Sequence, residues 1–121
     1  MNYQTKLKEQ SIVFPKKIVN HYISNLKNEI NVKGVLLFGS FAWGKPTKHS
    51  DVDLIVISPN FYRRNFDKRW DMLYDARDKT TYQIAMDIIG YTPREFNNLE
   101  KHSAIGAIAK KKGKWIYKAK R

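Results

Sequence analysis

The sequence contains no cysteine, which excludes disulfides, thiolate zinc sites and thiol nucleophiles together. It fits a reducing compartment, and a cytoplasmic location is expected. Long apolar runs are also missing: Leu54 to Ile57 and Ala104 to Ala109 fall far short of the ~20 residues a membrane helix needs. Met1 to Gln10 is polar and charged, so no targeting segment is read there and no membrane association is expected. Internal repeats and low-complexity linkers are absent, and 121 residues suit one domain, expected over 1–121 with flexible ends at 1–14 and 118–121. Acidic residues are scarce, 11 against 23 Lys and Arg, giving a net charge of +12. Such a field draws phosphates, whether on nucleotides, nucleic acid or an acidic partner. Seven of those cations crowd Lys110 to Arg121, which reads equally as a solvated terminus or as an anion-attracting tail.

What is present is enough apolar material for a core, 42% of residues with 13% aromatic. Pro15 suits a first helical turn. After it, Val19, Tyr22, Ile23, Leu26 and Ile30 recur at steps of three and four, predicting an amphipathic helix that Gly34 ends. Val35 to Phe38 is a short continuous apolar run, hence a buried strand. Gly39 to Ser50 is a polar connection, and Asp51 to Ser58 a second strand that carries carboxylates at one end. Phe61 to Thr80 places Phe66, Trp70, Leu73 and Tyr74 at helical spacing, and Trp70, Leu73 and Tyr74 read as packing. Thr81 to Ile89 alternates as a third strand, with Asp87 and Ile89 on one side and Met86 and Ile88 on the other. Thr92-Pro93-Arg94-Glu95 is a capping box with proline at the first helical position. Ser103 to Lys111 is helical, Gly113 breaks it, and Trp115 to Tyr117 forms a last short strand. The order implies a small α/β (α+β) fold, a sheet with helices packed on it.

Two features gain meaning together: Gly39-Ser40 directly after a buried strand, and Asp51-Val52-Asp53 at the start of the next. Period-two geometry puts Asp51 and Asp53 on the same side. Carboxylates roughly 5–6 Å apart repel by about 3 kcal/mol at an effective dielectric near 20. A hard cation such as Mg²⁺ reverses that sign, using a few carboxylates plus waters and phosphate oxygens. Asp87 lies among apolar neighbours and completes a trio if its strand is adjacent. Gly39 lets backbone approach a phosphate, and the hydroxyl and amide of Ser40 can donate to it. Taken singly, Gly-Ser is an ordinary turn and Asp-x-Asp an ordinary surface pair.

The residues Leu37-Phe38-Gly39-Ser40-Phe41-Ala42-Trp43-Gly44, then Ser50-Asp51-Val52-Asp53-Leu54-Ile55-Val56, then Asp87 ahead of Tyr91-Thr92-Pro93-Arg94-Glu95-Phe96, resemble the nucleotidyltransferase superfamily that includes DNA polymerase β. Within it the chain looks like a minimal nucleotidyltransferase, with the resemblance running from Val19 to Tyr117. That resemblance implies that Asp51 and Asp53 hold Mg²⁺ ions on a nucleoside triphosphate. It implies that Asp87 holds a metal and helps activate the attacking hydroxyl, and that Gly39 and Ser40 bind the terminal phosphates. Many relatives carry Arg where this chain has Trp43, and Lys45 or Lys48 is the expected replacement for that phosphate contact. The implied activity is transfer of a nucleoside monophosphate, AMP from ATP, to an acceptor hydroxyl. The implied context is an antitoxin beside a helical HEPN-type toxin partner, since a chain this small must have its acceptor presented by another protein or by self-association. The alternative from a different class is a basic module that binds nucleic acid or an acidic protein, with the acids vestigial.

His21, His49 and His102 lack metal-ligand spacing and are read as surface or packing residues. Trp115 and Tyr117 read as strand packing more than as a platform for bases. The capping box accounts for Glu95, and Tyr62-Arg63-Arg64 can face either phosphate or water.

Overall fold

The computed structural model describes residues 12–120; of the ends expected to be flexible, 1–14 and 118–121, residues 1–11 and Arg121 lie outside the described residues. Helix α1 (Lys16–Lys27) buries Val19, Tyr22, Ile23 and Leu26, the positions its periodicity marks. Pro15 stands one place before the helix rather than inside its first turn, and its carbonyl accepts the Val19 N–H at 3.0 Å. The helix ends earlier than Gly34. Asn28 is the C-cap, and the Asn31 amide is taken by Asn60 Oδ1 at 2.9 Å, so polar side chains compete with helix continuation. Gly34 instead opens strand β1 (Gly34–Phe38), where a Cβ would come within 2.8 Å of the Trp115 ring.

Strand β1 leads through Gly39 into the one-turn helix α2 (Ser40–Trp43), and β2 (Val52–Ile57) follows the polar loop. After a 3-10 turn at Pro59–Phe61, α3 (Phe66–Tyr74) begins at Asn65, whose side chain accepts the Lys68 N–H. It is nine residues long, shorter than the stretch Phe61 to Thr80. Strand β3 (Met86–Tyr91) likewise starts later than Thr81, because Thr81–Gln83 is a 3-10 turn. There the buried Thr81 hydroxyl and amide exchange hydrogen bonds with Asp78, and Arg77 ties the carbonyls of Thr81 and Ile84, both at 2.6 Å. Side-chain bonds thus claim backbone that alternation alone assigns to a strand. Helix α4 (Pro93–Asn97) has the complete capping box, and α5 (Ala104–Lys112) and β4 (Lys114–Lys118) finish the chain.

The four strands form one mixed sheet in the order β3-β2-β1-β4. β1 runs antiparallel to β2 and β4, while β2 and β3 are parallel. One face packs Val35, Leu37, Leu54, Val56 and Ile88 against α1, Phe61 and Leu73. The other packs Leu36, Phe38, Ile55 and Ile57 against Phe96, Leu99 and Ala109 of the C-terminal segment. This is the α/β sheet with packed helices that the element order implies. Among the described residues no helix is long and apolar enough to cross a membrane.

Candidate active site

The site is built at the rim where β1 ends and β2 and β3 begin. β2 pairs β3 with Val52 opposite Met86 and Asp53 opposite Asp87. Adjacent strands lie about 4.8 Å apart. In-register neighbours point to the same face, so the two acids stand side by side with Ile55, Ile57, Ile89 and Tyr91 following on that face. The second core cluster covers those apolar residues but stops short of the acids, and Asp87 remains exposed. Asp51, also exposed, precedes β2 by one residue and has the same parity as Asp53.

Gly39 explains why the turn after β1 can reach these acids. Phe38 pairs with Asp53 across the antiparallel ladder, and Gly39 follows with φ 74° and ψ −157°. That backbone region is essentially confined to glycine. A Cβ built there would lie 2.0 Å from Asp53 Oδ2, so side chain and main chain meet with room for hydrogen only. The Gly39 carbonyl accepts the amides of Ala42 and Trp43 at 2.9 and 3.1 Å, which winds α2 and leaves the Ser40 and Phe41 amides at its open first turn.

Partial burial, then the charge of Asp87, then that of Asp51, raises the pKa of Asp53 from the ordinary 3.8 to about 6. The three carboxylates therefore share one electrostatic neighbourhood. Among the described residues, however, no three Asp, Glu, His or Cys side chains close around a point as a finished metal cage. The two observations describe different distances. Charges couple through space over several ångströms, whereas ligation needs oxygens drawn in to 2.0–2.6 Å. Repelling acids gathered at an open rim are a donor set that a divalent cation would relieve, so the residues fit such an ion.

Lys45 and Lys48 are exposed on the loop after α2. The loop is turned by Thr47 and Ser50, with Thr47 N–H on Ser50 Oγ at 2.8 Å and Ser50 N–H on the Thr47 carbonyl at 3.0 Å. Lys48 and Ser50 line a cavity of about 440 Å³ with Phe41, Val52 and Ile84. Lys45 does not line it. Trp43 is exposed beside the turn.

Several side chains around β3 have roles beyond the sequence reading. Trp70 is not a core residue: it is 56% exposed and stacks on Tyr74 at 4.3 Å, while Leu73 alone of that group is fully buried. Phe66 is also exposed, edge-on to Tyr91. Arg69 is buried and donates to both Glu95 oxygens (2.7 and 3.1 Å), to the Arg64 carbonyl (2.8 Å) and to the Gly90 carbonyl (3.1 Å). Glu95 therefore does more than cap α4. Partial burial pulls its carboxyl upward, but Arg69 and the Thr92 amide outweigh that and leave it below its ordinary pKa. A cation at the inward phase of an amphipathic helix was the available signal for Arg69. Among the histidines, His21 pairs with Asp78 at 2.7 Å, while His49 and His102 are exposed.

A Gly-Ser turn against paired acids on a mixed sheet defines the nucleotidyltransferase architecture. The chain belongs to the nucleotidyltransferase domain family, whose model matches residues 16–117. A provisionally named protein adenylyltransferase of Methanocaldococcus jannaschii is 32% identical over 73 residues, 59% of this chain and 49% of that protein. The chain thus spans about half the length of the curated relative it matches. A provisionally named nucleotidyltransferase from Sulfolobus solfataricus superposes with a TM-score of 0.62 at 17% identity, over 85% of this chain and 79% of that one. A chain of a toxin–antitoxin structure with AMP-PNP superposes with a TM-score of 0.53 at 18% identity, over 88% and 76%. At these identities the two structures speak for the fold.

Proposed function

We propose that this chain transfers AMP from ATP to a hydroxyl on a protein acceptor, with Mg²⁺ held by Asp51, Asp53 and Asp87. The observation that carries the reading is the in-register pair Asp53 and Asp87 beside the Gly39-Ser40 turn. The name of the Methanocaldococcus relative supports a protein acceptor, and the toxin–antitoxin neighbour supports a protein partner; that this partner is of the HEPN type rests on the family resemblance alone. A bound divalent cation would supply charge neutralisation at the α-phosphate and at the leaving pyrophosphate. The chain's own groups do the rest. Ser40 and the first amides of α2 hold the terminal phosphates, with Lys45 and Lys48 adding cationic charge from the loop. Asp87, exposed at the rim, orients the acceptor hydroxyl and receives its proton as the new P–O bond forms and the bond to the β-phosphate oxygen breaks.

The test is incubation with α-labelled ATP, Mg²⁺ and the co-encoded neighbouring protein. Labelling of that neighbour by the wild type, lost in Asp53→Ala, is expected. An unlabelled neighbour would overturn the catalytic reading. Salt-sensitive retention on nucleic acid that survives Asp53→Ala would then favour the basic binding module, to which the +12 charge is suited.

A further inference from the structure

Strand β3 is the outer strand of the sheet, and among the described residues no strand lies beyond it and Asp87. Its peptide groups alternate in direction. Those of Ala85 and Tyr91 bond to β2, through Val52 N–H on the Ala85 carbonyl at 2.9 Å and Ser58 N–H on the Tyr91 carbonyl at 3.0 Å. The groups of Met86, Ile88 and Gly90 therefore face outward, where an edge strand ordinarily presents unpaired donors and acceptors. Here α3 takes the place of the missing strand. The Tyr74 hydroxyl accepts the Ile88 N–H at 3.2 Å and donates to the Met86 carbonyl at 3.3 Å. Arg69 takes the outward carbonyl of Gly90 further along the strand. Tyr74 thus grips the peptide groups on both sides of Asp87 with one oxygen atom, and the stacked Trp70 ring backs it.

The grip matters because of what Asp87 faces. Two like charges side by side push β3 away from β2, and among the described residues no ladder on its outer side resists. We propose that Tyr74 is a positioning residue, whose hydroxyl holds the Asp87 segment of β3 against β2 so that Asp53 and Asp87 can share a divalent cation. This rests on the metal assignment made above. A hydroxyl that merely blunts a sheet edge would affect stability alone. One that positions a ligand affects metal affinity, where second-sphere changes typically cost about 10–100-fold.

Mn²⁺ binding to the whole chain, read from the electron paramagnetic resonance signal of the free ion, separates these roles without turnover. The wild type should bind, and Asp53→Ala should not. Tyr74→Phe keeps the ring and its stacking and should weaken Mn²⁺ affinity by about tenfold. Gly106→Ala is the stability control, since a Cβ there would lie 2.4 Å from Leu99 Cγ, in the packing of α5 rather than on α3. It should lower the melting temperature and leave Mn²⁺ affinity at the wild-type value. Trp70→Ala, at an exposed position that folding tolerates, should weaken Mn²⁺ in the same direction as Tyr74→Phe but less. Binding that is lost in Asp53→Ala yet within twofold of wild type in both Tyr74→Phe and Trp70→Ala overturns this inference alone. No Mn²⁺ binding by the wild type overturns the metal assignment and the inference with it.

Discussion

Replacing Asp53 by Asn in the metal-free chain should make the protein more stable at neutral pH. Folding half-buries Asp53 beside Asp87 and Asp51, raising its pKa from 3.8 to about 6. A carboxyl whose pKa rises on folding holds its proton more readily in the folded state. Its favourable contribution is therefore complete below pH 3.8 and disappears as pH climbs through about 6. Taken at face value the shift corresponds to roughly 3 kcal/mol, at about 1.4 kcal/mol per decade of acidity. Solvent screening at this open rim reduces that to about 1 kcal/mol. In a domain of this size that is about 3–6 °C in melting temperature. Asn keeps the size and the hydrogen-bonding capacity of Asp and removes the charge, so Asp53→Asn should melt about 3–6 °C higher than wild type at pH 7 in EDTA. The two should converge at pH 4. Circular-dichroism melts of both proteins between pH 4 and 8 measure the difference, and Mg²⁺ should then stabilise only the wild type. Melting temperatures that stay parallel from pH 4 to pH 7 would refute the picture of a strained acid pair.

Gly39→Ala forces a side chain into a glycine-only backbone region at about 1–3 kcal/mol and drives the new Cβ into Asp53 Oδ2. Urea titration should show that loss, and it should be smaller in an Asp53→Ala background, where the collision is gone. Arg69→Met strips one side of a buried ion pair; because Glu95 keeps some solvent, the cost should be about 2–3 kcal/mol by urea titration rather than the full penalty of an enclosed charge. Gly106→Ala places a Cβ 2.4 Å from Leu99 Cγ and should destabilise by about 1–3 kcal/mol, lowering the urea midpoint without altering Mn²⁺ affinity. Lys45→Ala combined with Lys48→Ala should weaken binding of a non-hydrolysable ATP analogue about tenfold, measured calorimetrically, with the melting temperature unchanged because both side chains are exposed.

Most of the architecture could be read from local pattern, because the relevant signals were close together in the chain. Val19, Tyr22, Ile23 and Leu26 declare a helix face, and Thr92 with Glu95 declares a helix start; both stand where periodicity and capping chemistry put them. Asp51 and Asp53 two residues apart suffice to share a side. That Asp87 stands beside Asp53 required β2 and β3 to be neighbours, a pairing made 34 positions apart that hydrophobic alternation does not encode. The same limit hid Arg69. Its partner Glu95 is 26 residues away, and a charged residue on an inward helical phase looks like an error until that partner is in place. Trp70 departs from the packing its spacing predicts for a different reason. Helical phase put it near the buried stripe, but α3 is narrow and Leu73 and Arg69 occupy the contact, leaving the indole outside on Tyr74.

The acid trio sits inside a molecule whose overall charge has the contrary sign, and this separates two ranges of attraction. Out to about 8 Å, the range over which physiological salt leaves charges largely unscreened, an approaching polyanion meets the lysine and arginine excess. Immediately at the acids it meets carboxylates, and would be turned away from them unless it arrived with countercharge of its own. On the proposed function, such a surface would sort its visitors by what accompanies them: a nucleotide already carrying a divalent ion would be admitted, and the bare anion held at a distance.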